Sequence, residues 1–414
     1  MKKSVSSGAA RASRLLWAVF CGVAAALGAN SAVADEFDTL NLVLSESISY
    51  DANIVKTPDT IAPPAGSSSK SDRINATTLG FKINKPYAQQ RLQLDYSQVQ
   101  TRYDSFNFLN SEASNYRGAW LWALTPHLTG TLSADQNQSQ ASFAQFGGTQ
   151  RNVRTNKNRG LSVDAWFSGG WHAVAGLTQT EAKSELASLS TPSSETRRME
   201  LGFRYEAASG NSISATRRLA PAETVNQRLD PVNLIETNYR DVQSELKAHW
   251  KPSGHSTFDF SLARAERLND HFTQRNYAAT TGEIRYGWTP TGKIQLNLAA
   301  LRSIAPFQAV GNTVQNSTFV VDDTLSLGVN WQFAAKTALY LNLTRKRSNY
   351  GGPIFAVSGP ARSDDFRTLQ TGVNWSPIRN LSLGASIEHD MRDTNAPGLQ
   401  FSDTIAVFNA SATF

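Results

Sequence analysis

From Leu40 onward, apolar and polar side chains alternate with period two in one stretch after another. The clearest runs from Thr324 to Leu343. Leu325, Leu327, Val329 and Trp331 alternate with Ser326, Gly328 and Asn330; beyond a short turn, Leu339, Leu341 and Leu343 alternate with Tyr340 and Asn342. Successive side chains of a strand point to opposite faces, so strict alternation predicts strands with one apolar and one polar face. Eighteen strands are predicted, near 40–52, 73–85, 90–104, 113–125, 127–142, 152–167, 171–184, 194–207, 211–220, 236–251, 255–268, 273–289, 293–304, 318–333, 336–349, 362–376, 379–392 and 401–414. Their connections alternate between short and long. Gly, Pro, Ser and Asn supply the short turns, as in Lys251-Pro252-Ser253-Gly254-His255 and Thr289-Pro290-Thr291-Gly292. The long set includes 53–72, 105–112, 143–151, 185–193, 221–235, 305–317 and 350–361. Short turns on one rim and long loops on the other predict an all-β, transmembrane, antiparallel outer-membrane β-barrel of about 18 strands, sixteen at the fewest, with periplasmic turns and extracellular loops.

The first residues belong to a different pattern. Lys2, Lys3, Arg11 and Arg14 precede the apolar run Leu15 to Leu27, and Ala32-Val33-Ala34 is a small-x-small cleavage site. Residues 1–34 therefore read as a secretory signal peptide and 35–414 as a single barrel domain. Four of the 40 Lys+Arg and none of the 34 Asp+Glu lie in that segment, so the remaining chain carries 36 against 34 and a net charge of +2 instead of +6. No global basic patch is left for nucleic acid, which is not an expected partner. Cys21, the sole cysteine, lies inside the apolar run, so the exported chain has none. No apolar run after Asp35 approaches the roughly 20 residues of a membrane helix.

Aromatics gather near the short turns. Trp122, Trp171, Trp250, Trp288, Trp331 and Trp375, with Phe167 and Tyr205, suit an aromatic girdle at the headgroup level of one rim. The last strand places Ala406, Phe408, Ala410, Ala412 and Phe414 on one face. Phe408 and the terminal Phe414 resemble the recognition signal of the barrel-assembly machinery, an expected partner beside outer-membrane lipid.

A charge on the lipid face near mid-bilayer costs about 2–4 kcal/mol, so mid-strand charges are assigned to the lumen. The basic candidates are Lys82, Arg117, Arg198, Arg204, Arg218, Lys247, Arg285 and Lys346. The acidic candidates are Asp95, Asp135, Asp164, Glu200, Glu206, Glu245, Glu283, Glu388 and Asp390. Gln93, Thr129, Thr131, Ser326, Asn330, Gln370 and Asn374 fill many remaining inward positions. The signs are mixed, unlike a conduit lined uniformly with arginine, and suit a neutral or weakly charged hydrophilic solute held by many weak contacts. Eighteen strands enclose more space than side chains fill, which predicts a water-filled or loop-plugged passage.

Several stretches resemble the EpsL-type outer-membrane transporters for extracellular polysaccharide biosynthesis that accompany exosortase B. The carriers are Ser49-Tyr50-Asp51-Ala52-Asn53-Ile54-Val55-Lys56, Trp120-Leu121-Trp122-Ala123-Leu124-Thr125-Pro126, Phe167-Ser168-Gly169-Gly170-Trp171 and Trp375-Ser376-Pro377. The resemblance spans the mature chain. It implies export of a polysaccharide, with periplasmic and inner-membrane polysaccharide synthesis proteins as partners. An uptake porin shares nearly every feature read from the residues, and an adhesin acting through 53–72 and 221–235 is a third reading. A hydrolase is not favoured. No GxSxG elbow, HExxH or metal-type spacing occurs, and in Asp270-His271 and His389-Asp390 adjacent side chains point to opposite faces. No catalytic residue, metal or cofactor is expected.

Overall fold

The protein is described by a computed structural model over residues 39–64, 67–146, 150–186, 193–225, 228–231, 235–307, 317–352 and 360–414. The export segment expected at 1–34 lies outside these residues. The alternating stretches form eighteen strands: β1 (Leu40–Asp51), β2 (Asp72–Tyr87), β3 (Gln90–Tyr103), β4 (Ser111–Thr125), β5 (Leu128–Gln140), β6 (Val153–Ser168), β7 (Trp171–Ser184), β8 (Ser194–Glu206), β9 (Ser212–Thr224), β10 (Asn238–Ser253), β11 (Ser256–Asn269), β12 (Tyr277–Thr291), β13 (Ile294–Pro306), β14 (Phe319–Ala334), β15 (Thr337–Gly351), β16 (Ser363–Ile378), β17 (Leu381–Thr394) and β18 (Phe401–Thr413). Each pairs antiparallel with its neighbours in sequence, and β18 pairs with β1, so the sheet is closed. At the seam Leu42 N–H donates to the Phe414 carbonyl (2.7 Å) and Phe414 N–H donates back (2.9 Å). Closure leaves no unpaired edge, the condition a sheet must meet to span lipid.

Seven of the eight short turns are two-residue loops; only the β8–β9 turn is longer. Gly169 and Gly170 connect Ser168 to Trp171 with φ of +53° and +88°. Two consecutive positive φ values match the right-handed strand twist and favour glycine. The register shifts directly after Trp250, Trp288, Trp331 and Trp375, so a bulge closes four of the hairpins just beyond a girdle tryptophan.

Two strands depart from the sequence reading. β9 runs on through Pro221 to Thr224, where a loop was expected. Its ladder to β10 is continuous, but pairing to β8 lapses opposite Ala220 and Pro221, because proline has no N–H to donate. β12 begins at Tyr277, since Thr273–Arg275 form a turn of 3-10 helix.

Alternate residues of every strand build two surfaces. The outer one carries an apolar band: Leu79 on β2, Leu132 on β5, Leu201 and Phe203 on β8, Ile284 on β12 and Leu325 on β14 are each 49–69 % exposed. Apolar area of this extent is stable only against lipid. Below it stand Trp171, Trp250, Trp288, Trp331 and Trp375, also on the outer face and 40–54 % exposed. Trp122 shares that face and lies over Gly130; a β-carbon at Gly130 would come within 2.3 Å of the indole. Phe408 belongs to the same outer surface.

The one buried apolar cluster among the described residues lies inside the long-loop end. Ile54 and Val55 after β1, Phe106 and Leu109 between β3 and β4, and Phe143 between β5 and β6 pack together, with Ile74 and Tyr103 from the inner wall against them. Asp72 holds the β3–β4 loop in place by accepting from the backbone N–H groups of Ser105 (3.0 Å) and Phe106 (2.8 Å). Asn53 reaches the Ser402 carbonyl of β18 (3.2 Å), and Arg392 of β17 donates to the Ala144 carbonyl (2.8 Å). Loops from one third of the circumference thus turn into the barrel and narrow its extracellular mouth.

A candidate solute pathway

All residues assigned to the lumen from the sequence occupy the inner positions of their strands, opposite the apolar band. Register arranges them in rows. Lys82 faces Asp95, Asp95 faces Arg117, and Arg117 faces Asp135 across β2, β3, β4 and β5. Asn158 on β6 continues the row, donating to Asp135 (2.9 Å) and accepting from Thr180 (2.9 Å). Lys82, Asp95 and Arg117 are exposed and make no ion pair within 4 Å among the described residues, so they stand toward the passage as hydrated charges.

On the wall from β6 to β10 the charges lock together. Asp164 accepts from His172 Nδ1 (2.5 Å) and Arg204 (2.9 Å), and Arg204 also meets Glu206 (3.3 Å). Arg218 lies between Glu200, which its Nε contacts, and Glu245 (2.8 Å), and Lys247 closes on Glu245 at 3.2 Å. Further round, Glu283 and Arg285 pair at 2.6 Å, as do His249 and Asp259. Gln370 donates to Glu388 (3.0 Å) and Thr368 to Asp390 (2.6 Å). Lys346 lies 4.5 Å from the Phe366 ring centre. Asn330 and Asn374 occupy inner positions nearer the short turns.

Along the wall from β4 to β9 lies an alcove of about 780 Å³. Its floor is small and polar (Ser133, Gly160, Ser162, Gly176, Thr178), and Arg198, Arg204 and Arg218 stand over it with Asp164 and Glu200. Two of the three guanidiniums are already engaged. Arg198 is exposed and makes no ion pair or hydrogen bond among the described residues. It adjoins the stretch where Pro221 interrupts the β8–β9 ladder. The residue type and phase of Arg198 are readable from the chain; its lack of a partner requires the register.

The extracellular end is built differently. Asp364, with no exposed side-chain surface, accepts from Arg392 (2.8 Å), Arg362 (2.6 Å), Thr394 (2.6 Å) and Tyr350 (3.1 Å). Arg267 stacks over Tyr239 (3.7 Å) and pairs with Asp241 (2.6 Å). Lys56, in the infolded loop, contacts Asp403 and lies 3.6 Å from Asp51. Sequence reasoning missed Asp364, Arg392 and Lys56 as a mouth structure, because their partners come from strands and loops distant in sequence. His271, beside Asp270, bonds instead to Glu236 (2.9 Å). Glu236 also accepts from the backbone N–H groups of Asn238, His271 and Phe272. Burial raises its pKa, but these donors outweigh it and lower the value to about 2.

No family model matches the chain, and no curated protein matches it by sequence. Among solved structures it is similar in fold to Pseudomonas outer-membrane porins. OpdK from Pseudomonas aeruginosa, determined with vanillate, aligns at a TM-score of 0.51 and 12 % identity, covering 91 % of this chain and 99 % of that one. OpdQ from the same organism aligns at 0.51 and 9 %, covering 91 % and 97 %. OccK2 (OpdF) aligns at 0.50 and 10 %, covering 91 % and 98 %.

Proposed function

We propose that the protein is a passive channel of the outer membrane that admits small hydrophilic solutes, preferring those that carry a carboxylate. The observation that carries this reading is the alcove with Arg198 left without a partner over a floor of small residues. A guanidinium in water holds a carboxylate weakly, and conduction needs a site that is easy to leave as well as to enter. The alternating charges along β2 to β5 offer further brief contacts, and the infolded loops narrow the entrance. That one protein of similar fold was determined with vanillate, a small aromatic carboxylate, is consistent with this class.

Export of an extracellular polysaccharide is the second reading. It rests on the EpsL-type stretches around Ser49–Lys56 and Trp120–Pro126, which coincide with the infolded first loop and a girdle turn. The apolar cluster at the mouth weighs against it, because a polymer would have to displace that cluster. Single-channel conductance of the barrel in a planar bilayer separates the two. Transient block by benzoate-like carboxylates, weakened in Arg198→Gln, is expected. Block by the purified polysaccharide together with indifference to small carboxylates would replace the channel reading with the export reading.

A further inference from the structure

The outer wall carries charges as well as apolar residues, and several arginines stand toward its long-loop end. Arg197, Arg217, Arg264, Arg302, Arg345 and Arg367 occupy outward positions on β8, β9, β11, β13, β15 and β16. Arg302 is eight residues above Ile294, at the short-turn end of β13, and Arg367 is eight above Trp375. At about 3.3 Å per residue and a tilt of about 40°, this height is roughly 20 Å above the girdle, near the top of an apolar band about 25 Å tall. Arg302 and Arg367 therefore stand where the outer leaflet presents its headgroups, with Arg345 paired beside Arg367.

Two grooves run down the wall beneath them. The first, about 570 Å³, crosses β11 to β15. Gly282 and Ala300 form its floor, Phe260, Ile284 and Leu325 its sides, and Arg302, Arg345 and Arg347 its upper lip. Arg302 is bound to Asp323 (2.8 Å) and Arg345 to Asp365 (2.5 Å), which fixes both forks in the groove mouth. Arg347, exposed, has no ion-pair partner among the described residues. The second groove, about 620 Å³, repeats the plan on β8 to β12. Ala215 and Ser244 are its floor, Leu201, Phe203 and Leu246 its sides, and Arg217 and Arg264 its lip.

We infer that these grooves are binding sites for a phosphorylated, multiply acylated glycolipid of the outer leaflet, its acyl chains along the small-residue floor and its phosphates on the arginine lip. The match is of charge and of shape. Arginine forks bind phosphate in bidentate geometry, and an apolar trough directly below a cationic lip fits a lipid whose anionic head and acyl tails lie in that order. A free phosphate has no use for the trough, and an uncharged lipid has none for the lip.

The test uses the barrel purified from outer membranes in mild detergent and native mass spectrometry. The probes are a hexa-acylated disaccharide lipid with two phosphates, its dephosphorylated form, and phosphatidylglycerol. Binding of the bisphosphorylated lipid in excess of both others is expected. A charged hydrogen bond is worth about 1.5–3 kcal/mol, so Arg347→Gln should weaken binding at the first groove by about tenfold or more, seen as loss of one of two tight lipid adducts. Arg347 has no partner to lose, so the variant should fold; its heat-modifiable migration on gels checks this. Arg102→Gln, an outward charge on β3 paired with Glu112 and remote from both grooves, should leave binding unchanged. Equal retention of the dephosphorylated lipid, equal retention of phosphatidylglycerol, or wild-type binding by a folded Arg347→Gln barrel would each overturn the proposal.

Discussion

Arg198 and Glu236 show how one side chain's surroundings decide what it can do. Arg204 and Arg218 already hold carboxylates, so replacing either disturbs the wall before it affects a solute. Arg198 holds nothing, and Arg198→Gln should leave the barrel's stability within about 0.5 kcal/mol of wild type, as for surface substitutions in general. A drop in carboxylate block without a shift in the urea midpoint is the expected pair of results. Glu236 is the reverse case. Its carboxyl is held near 2, below the ordinary 4.5, so its contribution to loop stability is complete above about pH 5 and lost as pH falls toward 2. Hydrogen exchange at the His271 and Phe272 amides, corrected for intrinsic rates, should be slower in wild type than in Glu236→Gln at pH 6. That difference should vanish near pH 2. A constant difference across the range would show that the carboxylate charge is not what orders the loop.

At the scale of strands and loops, the alternation in the sequence placed β7 at 171–184 and most other strands within a few residues, because lipid outside and water inside impose opposite chemistry on adjacent side chains. The phase of Lys82, Asp95 and Arg117 was legible for the same reason, since a charge facing lipid near mid-bilayer is costly. The mouth was not legible. Ile54, Val55, Phe106, Leu109 and Phe143 are scattered through loops with no period, and only the closed barrel brings them together. The β9 extension was hidden by Pro221, which reads as a strand breaker but sits where one neighbouring ladder lapses. Two changes probe the mouth. Phe106→Ala with Leu109→Ala removes side chains that are 0–1 % exposed, each worth about 2–5 kcal/mol of local packing, and should raise single-channel conductance with the barrel intact. Asp364→Ala leaves Arg392 buried without its carboxylate, a loss of about 3–5 kcal/mol, and should lower the urea midpoint of the vesicle-reconstituted protein. Unchanged conductance in the first would mean the cluster does not limit passage.

For the whole molecule, the fold follows from one repeated hairpin with a polar inner face and an apolar outer face. The arginine height on the outer wall became visible only when register set strands side by side, since along the chain each arginine is one charge among many. The seam between β1 and β18 has a different implication. First and last strands are hydrogen-bonded neighbours with their outer ends on the same rim, so the chain is a ring cut at one place, and nothing in the pattern of pairing marks that place as special. A circular permutant that joins Phe414 to Leu40 by a short linker and opens between Phe307 and Ser317 would keep all eighteen pairings. It should refold in detergent to the same conducting barrel. In cells it would begin at β14 and end on β13, whose last residue is Pro306, so insertion into the membrane should fail while conduction of the refolded protein survives. Recovery of insertion on appending a strand end copied from Phe408–Phe414 would separate the address of this barrel from its architecture.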